Sequence, residues 1–374
     1  MTQEGEEQSR GGAVVENNSS RDRKAEIDLY KKGDITEMVA AAGSGRLQPM
    51  RGFDEEYTDI VDYIVRCTHK IWEEGGMGLL YTHYTHNCAV HTPYGITYGR
   101  EQMLTDAIAA LSAFPDRRAF ADEVIWTGND EDGFHTSHRV IGTGRNTGHS
   151  VYGPPTGRKV LTRTIANCFV KENMICEEWL VRDALSLVRQ LGLDENEVVD
   201  GMLAADERKG VQPGYGQTER VAGQTEPPPN PEKTGDGFEV EEFVRRSLNE
   251  VWNWRRFDRI TEHYAPNYLC YTSSDRTIYG VGDFRAYVMA FIAAFPDARL
   301  NVDHLYWIGN ERDGYRVATR WTLIGTHDGP SHYGTPTGKP VNVMGITHHL
   351  VRDERFVEEW TVFDELALLK QLRG

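Results

Sequence analysis

The stretch EEWLVRDALSLVRQL at 177–191 returns as EEWTVFDELALLKQL at 358–372. The recurrence does not stand alone. FPDRRAFADEVIWTGN from 114 matches FPDARLNVDHLYWIGN from 295, and GPPTGRKV from 153 matches GTPTGKPV from 334. The three offsets agree, since 358 − 177, 334 − 153 and 295 − 114 all give 181. One ungapped register is therefore expected to relate Tyr57–Leu193 to Phe238–Gly374. Chance does not hold register over that length, so the chain is a tandem duplication.

Outward from the repeats, VQPGYGQTERVAGQTEPPPNPEKTGDG is rich in Pro, Gly and charge and reads as a linker. The expected division is a tail over 1–52, a first domain over 53–206, a linker over 207–236 and a second domain over 237–374. A short helix is expected near Lys24–Lys32 within the tail. Each copy opens with an amphipathic helical pattern. A short strand and a second helix follow, and the helix stops at the shared Phe-Pro-Asp, where proline ends it. Long strands broken at GNDEDG or GNERDG and at the Pro-Thr-Gly turns come next, then a closing helix. That order predicts an α+β class: two copies of a cone-shaped, curved antiparallel sheet, with helices packed on one face. The two copies are expected to cover each other as an intramolecular pseudo-dimer.

The formal net charge is −16 with 41 basic and 57 acidic residues, which argues against a nucleic-acid partner. No apolar run reaches the length of a membrane span, and the polar opening MTQEGEEQSRGG does not read as a secretory signal. The five cysteines show no paired metal spacing and read as free thiols in a reducing cytoplasm. The run HYTHNCAVH and the pair His135 and His138 lack a metal-binding pattern, so no metal is expected. No glycine-rich phosphate loop or nucleophile elbow is present.

The strings GTHDGPSHYGTPTGKPV and VEEWTVFDELALLKQLRG resemble the SnoaL-like polyketide cyclases of the ketosteroid-isomerase-like, nuclear-transport-factor-2-like superfamily. The resemblance covers each repeat nearly end to end. It implies a cone-shaped pocket, chemistry without a cofactor, and a proton-shuttling carboxylate at Asp183 and Asp364. It also implies a histidine at His91, whose counterpart in the single register is Thr272. His327 has Asn146 as its counterpart, so each pocket is expected to hold its Asp and a different helper.

The residues themselves leave alternatives open. Asp183 and Asp364 follow Trp179 and Trp360 by four positions, so each pair shares a strand face. Burial beside Trp would raise a carboxyl's pKa towards that of a neutral-pH base. The same aspartates also fit as helix N-caps. Arg139 and Arg320, matched in register, suit a carboxylate partner, structural or substrate-borne. Tyr84, Tyr271 and His349 complete the candidate substrate contacts, though such side chains are also common core. The expected function is an isomerase, cyclase or lyase acting on a small hydrophobic, aromatic or polyketide-like compound. A non-catalytic binding or scaffolding protein is the alternative.

Overall fold

The computed structural model describes residues 27–210, 229, 235 and 237–374. Most of the expected linker, and the tail before residue 27, lie outside the described residues. A 3₁₀ turn at Leu29–Lys31 and helix α1 (Ile35–Ala40) precede the first repeat. The repeat contains α2 (Ile60–Trp72), α3 (Leu80–His83), β1 (Tyr84–Thr92), β2 (Gly95–Tyr98) and α4 (Arg100–Ala113). Then come β3 (Arg118–Asn129), β4 (Gly133–Arg145), β5 (Lys159–Lys171), β6 (Met174–Arg182), α5 (Ala184–Leu191) and α6 (Glu195–Lys209). The second repeat opens with α7 (Val240–Leu248), which runs into a π-helical turn at Asn249–Asn253. It continues with α8 (Ile260–His263), β7 (Tyr264–Thr272), β8 (Arg276–Tyr279), α9 (Gly280–Ala294) and β9 (Arg299–Asn310). The chain ends with β10 (Gly314–Thr326), β11 (Pro340–Arg352), β12 (Arg355–Phe363) and α10 (Glu365–Arg373).

Local chemistry sets the boundaries. Asp59 caps α2 by accepting from the Val61 and Asp62 amides. The β3–β4 turn closes on Asn129, whose side-chain oxygen takes the Glu131 and Asp132 amides at 2.8 and 2.9 Å. Helix α5 stops at Gly192, whose φ of 72° is the left-handed cap conformation.

The strands form two six-stranded sheets, ordered β2-β1-β6-β5-β4-β3 and β8-β7-β12-β11-β10-β9. The α+β class in two copies is as expected, but the sheets are mixed rather than wholly antiparallel. In each, the first strand lies parallel to the last. A chain that leaves β1 through a helix and three meandering strands returns beside it pointing the same way.

The single register also needs correction. Strand β1 begins at 84 and β7 at 264, 180 apart, whereas β2 at 95 and β8 at 276 are 181 apart. The second hairpin is one residue longer, with Ser274 and Asp275 at φ of 63° and 56°. The counterpart of His91 is therefore Tyr271, not Thr272. The pairing confirms it, because His91 lies opposite Trp179 and Tyr271 opposite Trp360.

The two sheets meet back to back. Ile165, Trp179 and Val181 pack against Met344, Ile346 and Val362 in one buried cluster. Each tryptophan is covered by the other domain's arginine: Arg320 stands 4.2 Å from the Trp179 ring centroid, and Arg139 stands 4.2 Å from Trp360. At one edge α5, α6 and α10 share a second apolar cluster, including Ala184, Leu185, Val198 and Leu366. Residues 27–52, tail-like in composition, also join the first core: Ile27, Leu29, Met38 and Met50 are buried there. Among the described residues no helix is long and apolar enough to cross a membrane.

This seam gives a first expected outcome. Residues 27–210 expressed alone should dimerise or aggregate, because Ile165, Trp179 and Val181 lose their cover, at about 1.5–3 kcal/mol for each large side chain. Size-exclusion chromatography of that fragment checks it, and a stable monomer would contradict the seam's role.

Candidate functional site

The inner face of each sheet, opposite the seam, is where the alternation of β6 and β12 aims the second glutamate of Glu-Glu-Trp. In the second domain Glu359 is buried and receives the Tyr268 hydroxyl at 2.5 Å. The Thr361 hydroxyl also donates to it. Thr361 in turn meets Thr347 at 2.8 Å, and the Trp321 indole N–H donates to Thr347 at 2.9 Å. His349 lies opposite Glu359 in the β11–β12 ladder, with its Nδ1 3.5 Å from a Glu359 oxygen. Burial pushes the Glu359 carboxyl up, but His349, Thr361 and Tyr268 outweigh it and hold the group ionised, below the usual carboxylate range.

Both ring nitrogens of His349 and the Tyr264 hydroxyl are without a hydrogen-bond partner here, Nδ1 having only its 3.5 Å approach to Glu359. Burial keeps the Tyr264 phenol protonated, well above its ordinary pKa. Aromatic rings line the same space. Tyr264 lies 4.8 Å from Tyr268 and 4.6 Å from Phe284, and His349 lies 4.8 Å from Phe356. Gly345 shapes it too, because a Cβ there would stand 2.1 Å from the Trp321 ring.

The first cone has the same frame and different contents. Residues matched to Trp321, Thr347, Thr361, His349 and Tyr268 are Val140, Ala166, Leu180, Cys168 and Cys88. Glu178, matched to Glu359, has only the Tyr84 hydroxyl, at 3.4 Å. Burial therefore raises its pKa, against weaker opposition from Arg182 and Tyr84. His138, also buried, is pushed down to about 3 by burial and so stays neutral.

The candidates named from sequence divide between these places. Tyr84 and His349 face the cone interiors. Trp179, Trp360, Arg139, Arg320, His91 and Tyr271 lie at the seam: His91 stacks 5.0 Å from Trp179, and Tyr271 stacks 4.0 Å from Trp360. His91 Nε2 also pairs with Glu177 at 2.6 Å, and Arg139 bonds Asp122 at 2.7 Å.

Asp183 and Asp364 cap α5 and α10 at the seam's edge, and each is held by the opposite domain's hairpin. Asp183 accepts from the Ser274 amide at 2.8 Å and the Ser186 amide at 3.3 Å. Asp364 accepts from the Leu366 and Ala367 amides and from the Tyr94 hydroxyl. Burial raises both carboxyls, Asp364 to about 7, where the nearby charge of Asp183 adds to the effect. His327 is buried beside its loop, within 3.3 Å of the Thr337 hydroxyl and 3.4 Å of Ser331. Its counterpart Asn146 ties the matching loop by accepting from the Thr156 amide at 2.8 Å.

Sequence reading passed over Glu178, Glu359 and Tyr268 as site residues. The available signal was a Glu-Glu pair repeated in both copies, whose second member falls on the opposite strand face from the tryptophan. All five cysteines are free. Among the described residues no three His, Cys, Asp or Glu side chains converge as metal ligands would.

Comparison with known proteins follows this division into two domains. The family description "SnoaL-like polyketide cyclase" matches twice, over residues 63–191 and 242–372. A search of curated proteins finds no match. Among solved structures the chain is similar to AclR from Streptomyces galilaeus, described as a candidate hydroxylase. Identity is 26%, the TM-score is 0.31, and the match covers 36% of this chain and 94% of that one. It is similar to IdmH from Streptomyces antibioticus, a candidate polyketide cyclase, at 24% identity and TM-score 0.32, covering 37% and 100%. A candidate SnoaL-like polyketide cyclase from Jannaschia sp. CCS1 matches at 22% identity and TM-score 0.32, covering 36% and 91%.

Proposed function

The chain belongs to the SnoaL-like polyketide cyclase family in both its domains, and from that premise we propose a cofactor-independent acid/base enzyme of cyclase or isomerase type. Its substrate is a small hydrophobic carbonyl compound, aromatic or polyketide-like, taken into the second cone. One observation carries this reading: an unpartnered imidazole nitrogen and an unpartnered phenol share one aromatic-lined interior. Buried polar atoms are nearly always paired, so two left open together suit a ligand that pairs them.

His349 Nε2 takes the proton next to the substrate carbonyl. Glu359 faces Nδ1 and steadies the imidazolium that forms. The Tyr264 hydroxyl donates to the oxyanion that develops on the carbonyl oxygen, where a preorganised donor lowers the barrier most. The same proton, returned to another carbon or released as a new carbon–carbon bond closes, gives isomerisation or cyclisation. Asp183 and Asp364 serve in this reading as caps that lock the seam.

The test is exchange of α-protons in deuterated water, followed by NMR, with aromatic β-keto esters as probes. Wild-type protein should accelerate exchange above the buffer rate, and failure across the series would count against the reading. A second reading, non-catalytic, suits the first cone. Val140, Ala166, Cys168 and Leu180 stand there in place of Trp321, Thr347, His349 and Thr361, and Met50, Phe53 and Tyr57 pack into its core.

A further inference from the structure

His348 and His349 are neighbours on β11 with opposite directions. His349 faces the second cone, while His348 is buried in the seam and meets the first domain. Its Nδ1 lies 2.6 Å from a Glu123 oxygen, and its Nε2 lies 2.7 Å from the Ser137 hydroxyl. Ser137 in turn lies 2.6 Å from the Asn167 side chain. Glu123 is also 3.4 Å from Arg139 and 3.9 Å from Arg316. A neutral His348 with its proton on Nδ1 satisfies the chain: it donates to Glu123, and its Nε2 accepts from Ser137 once the Asn167 amide is turned so that its Nδ2 rather than its Oδ1 meets the Ser137 oxygen.

The pseudo-twofold relation makes this chain informative. The residues matched to Glu123, Ser137 and His348 are His304, Ala318 and Asn167. Alanine has no hydroxyl and histidine no carboxylate, so the mirror-image link behind the first cone cannot form. The one-sided link stands behind the cone that contains His349 and not behind the one that contains Cys168. It also reaches β11 close to an irregularity in the β11–β12 ladder. The β11–β12 register slips between Leu350 and Val351, one pair beyond His349–Glu359. A bulge loosens the ladder locally and redirects side chains, so an anchored neighbour limits how far His349 can shift.

We propose that Glu123 of the first domain is a positioning residue for the second cone, acting through His348 to fix the placement of His349. The inference rests on the reading of His349 as the base. It gives the first domain a part in the reaction at a cone that it does not itself form.

The test measures α-proton exchange with the full-length chain, resolving kcat from KM. Glu123→Gln should lower kcat about 10-fold with KM within about twofold, as misplacement of a reacting group does. Glu123→Asp should recover part of the loss, because a carboxylate can still accept a hydrogen bond from Nδ1–H. His304→Gln, at the matched position behind the first cone, should behave as wild type. If Glu123→Gln does not fold, Ser137→Ala reads the same link from its other end and should show the same kcat loss.

Wild-type kcat in Glu123→Gln, or in Ser137→Ala where that variant stands in, overturns the proposal. So does an equal loss in His304→Gln, which would mark a general weakening of the seam. His349→Gln separates the two levels. Full activity there removes the base and the positioning role together. An inactive His349→Gln beside an unaffected Glu123→Gln removes only the positioning role.

Discussion

His349→Gln should reduce α-proton exchange by a factor on the order of 10²–10⁴, the usual effect of losing a general base, while the protein melts close to wild type. Glutamine retains hydrogen-bonding capacity and nearly fills the space, so little packing is lost. Glu359→Gln should also lower turnover, because its amide cannot steady an imidazolium as a carboxylate does. The matched changes in the first cone should leave turnover intact, since Glu178 faces Cys168 where Glu359 faces His349. Glu178→Gln is therefore the control for burial of a polar group without the chemistry. Normal exchange in both His349→Gln and Glu359→Gln would remove the second cone as the reaction site.

Asp364→Asn should make the protein more stable above pH 7 and leave its stability nearly unchanged at pH 4. The Asp364 carboxyl is raised from 3.8 to about 7, first by burial and then by Asp183. A group with a raised folded-state pKa keeps a proton that the unfolded chain has released. Its contribution is intact below about 4 and is lost as pH rises towards and through 7. A rise of about 3 units corresponds to at most about 4 kcal/mol at alkaline pH. Asparagine carries no charge to bury, yet its oxygen still accepts from the Leu366 and Ala367 amides. Asp364→Ala, losing the cap, should cost about 0.5–2 kcal/mol at pH 4, where the charge plays no part.

Thermal melts of the three proteins from pH 4 to 9 check these expectations. A stability gain that does not grow with pH would contradict them. Turnover supplies the second readout. In the proposed reading Asp364→Asn retains α-proton exchange, whereas a proton shuttle at Asp364 would make that variant inactive.

How much of the site was legible can be judged from the Glu-Glu-Trp motif. Strand parity placed Trp179 with Asp183 and Trp360 with Asp364 on one face, whereas the structure sets the tryptophans in the seam and the aspartates at helix caps on its edge. Periodicity cannot say which face looks into a cone and which meets another sheet, because both are buried. Tryptophan and arginine, which suit a ligand pocket, suit an interface equally well, and here Arg320 covers Trp179 and Arg139 covers Trp360. His91 was matched to Thr272 because an ungapped register carries no signal for a single extra turn residue. Tyr264 and Tyr268 were passed over as donors because a tyrosine in a strand is ordinarily core.

The sequence by itself determined the duplication, the order of elements and the α+β class, because repeats, caps and apolar periodicity are local properties of the chain. It also determined that the two cones differ, since residues at matched positions can be compared directly. The tertiary structure alone decided which carboxylates face a cone and which close the seam. Asp183 and Asp364 take partners from the opposite domain's hairpins, and His348 takes Glu123 from across the interface. Such contacts join residues far apart in the chain, and their distances arise only when both sheets fold and pack back to back.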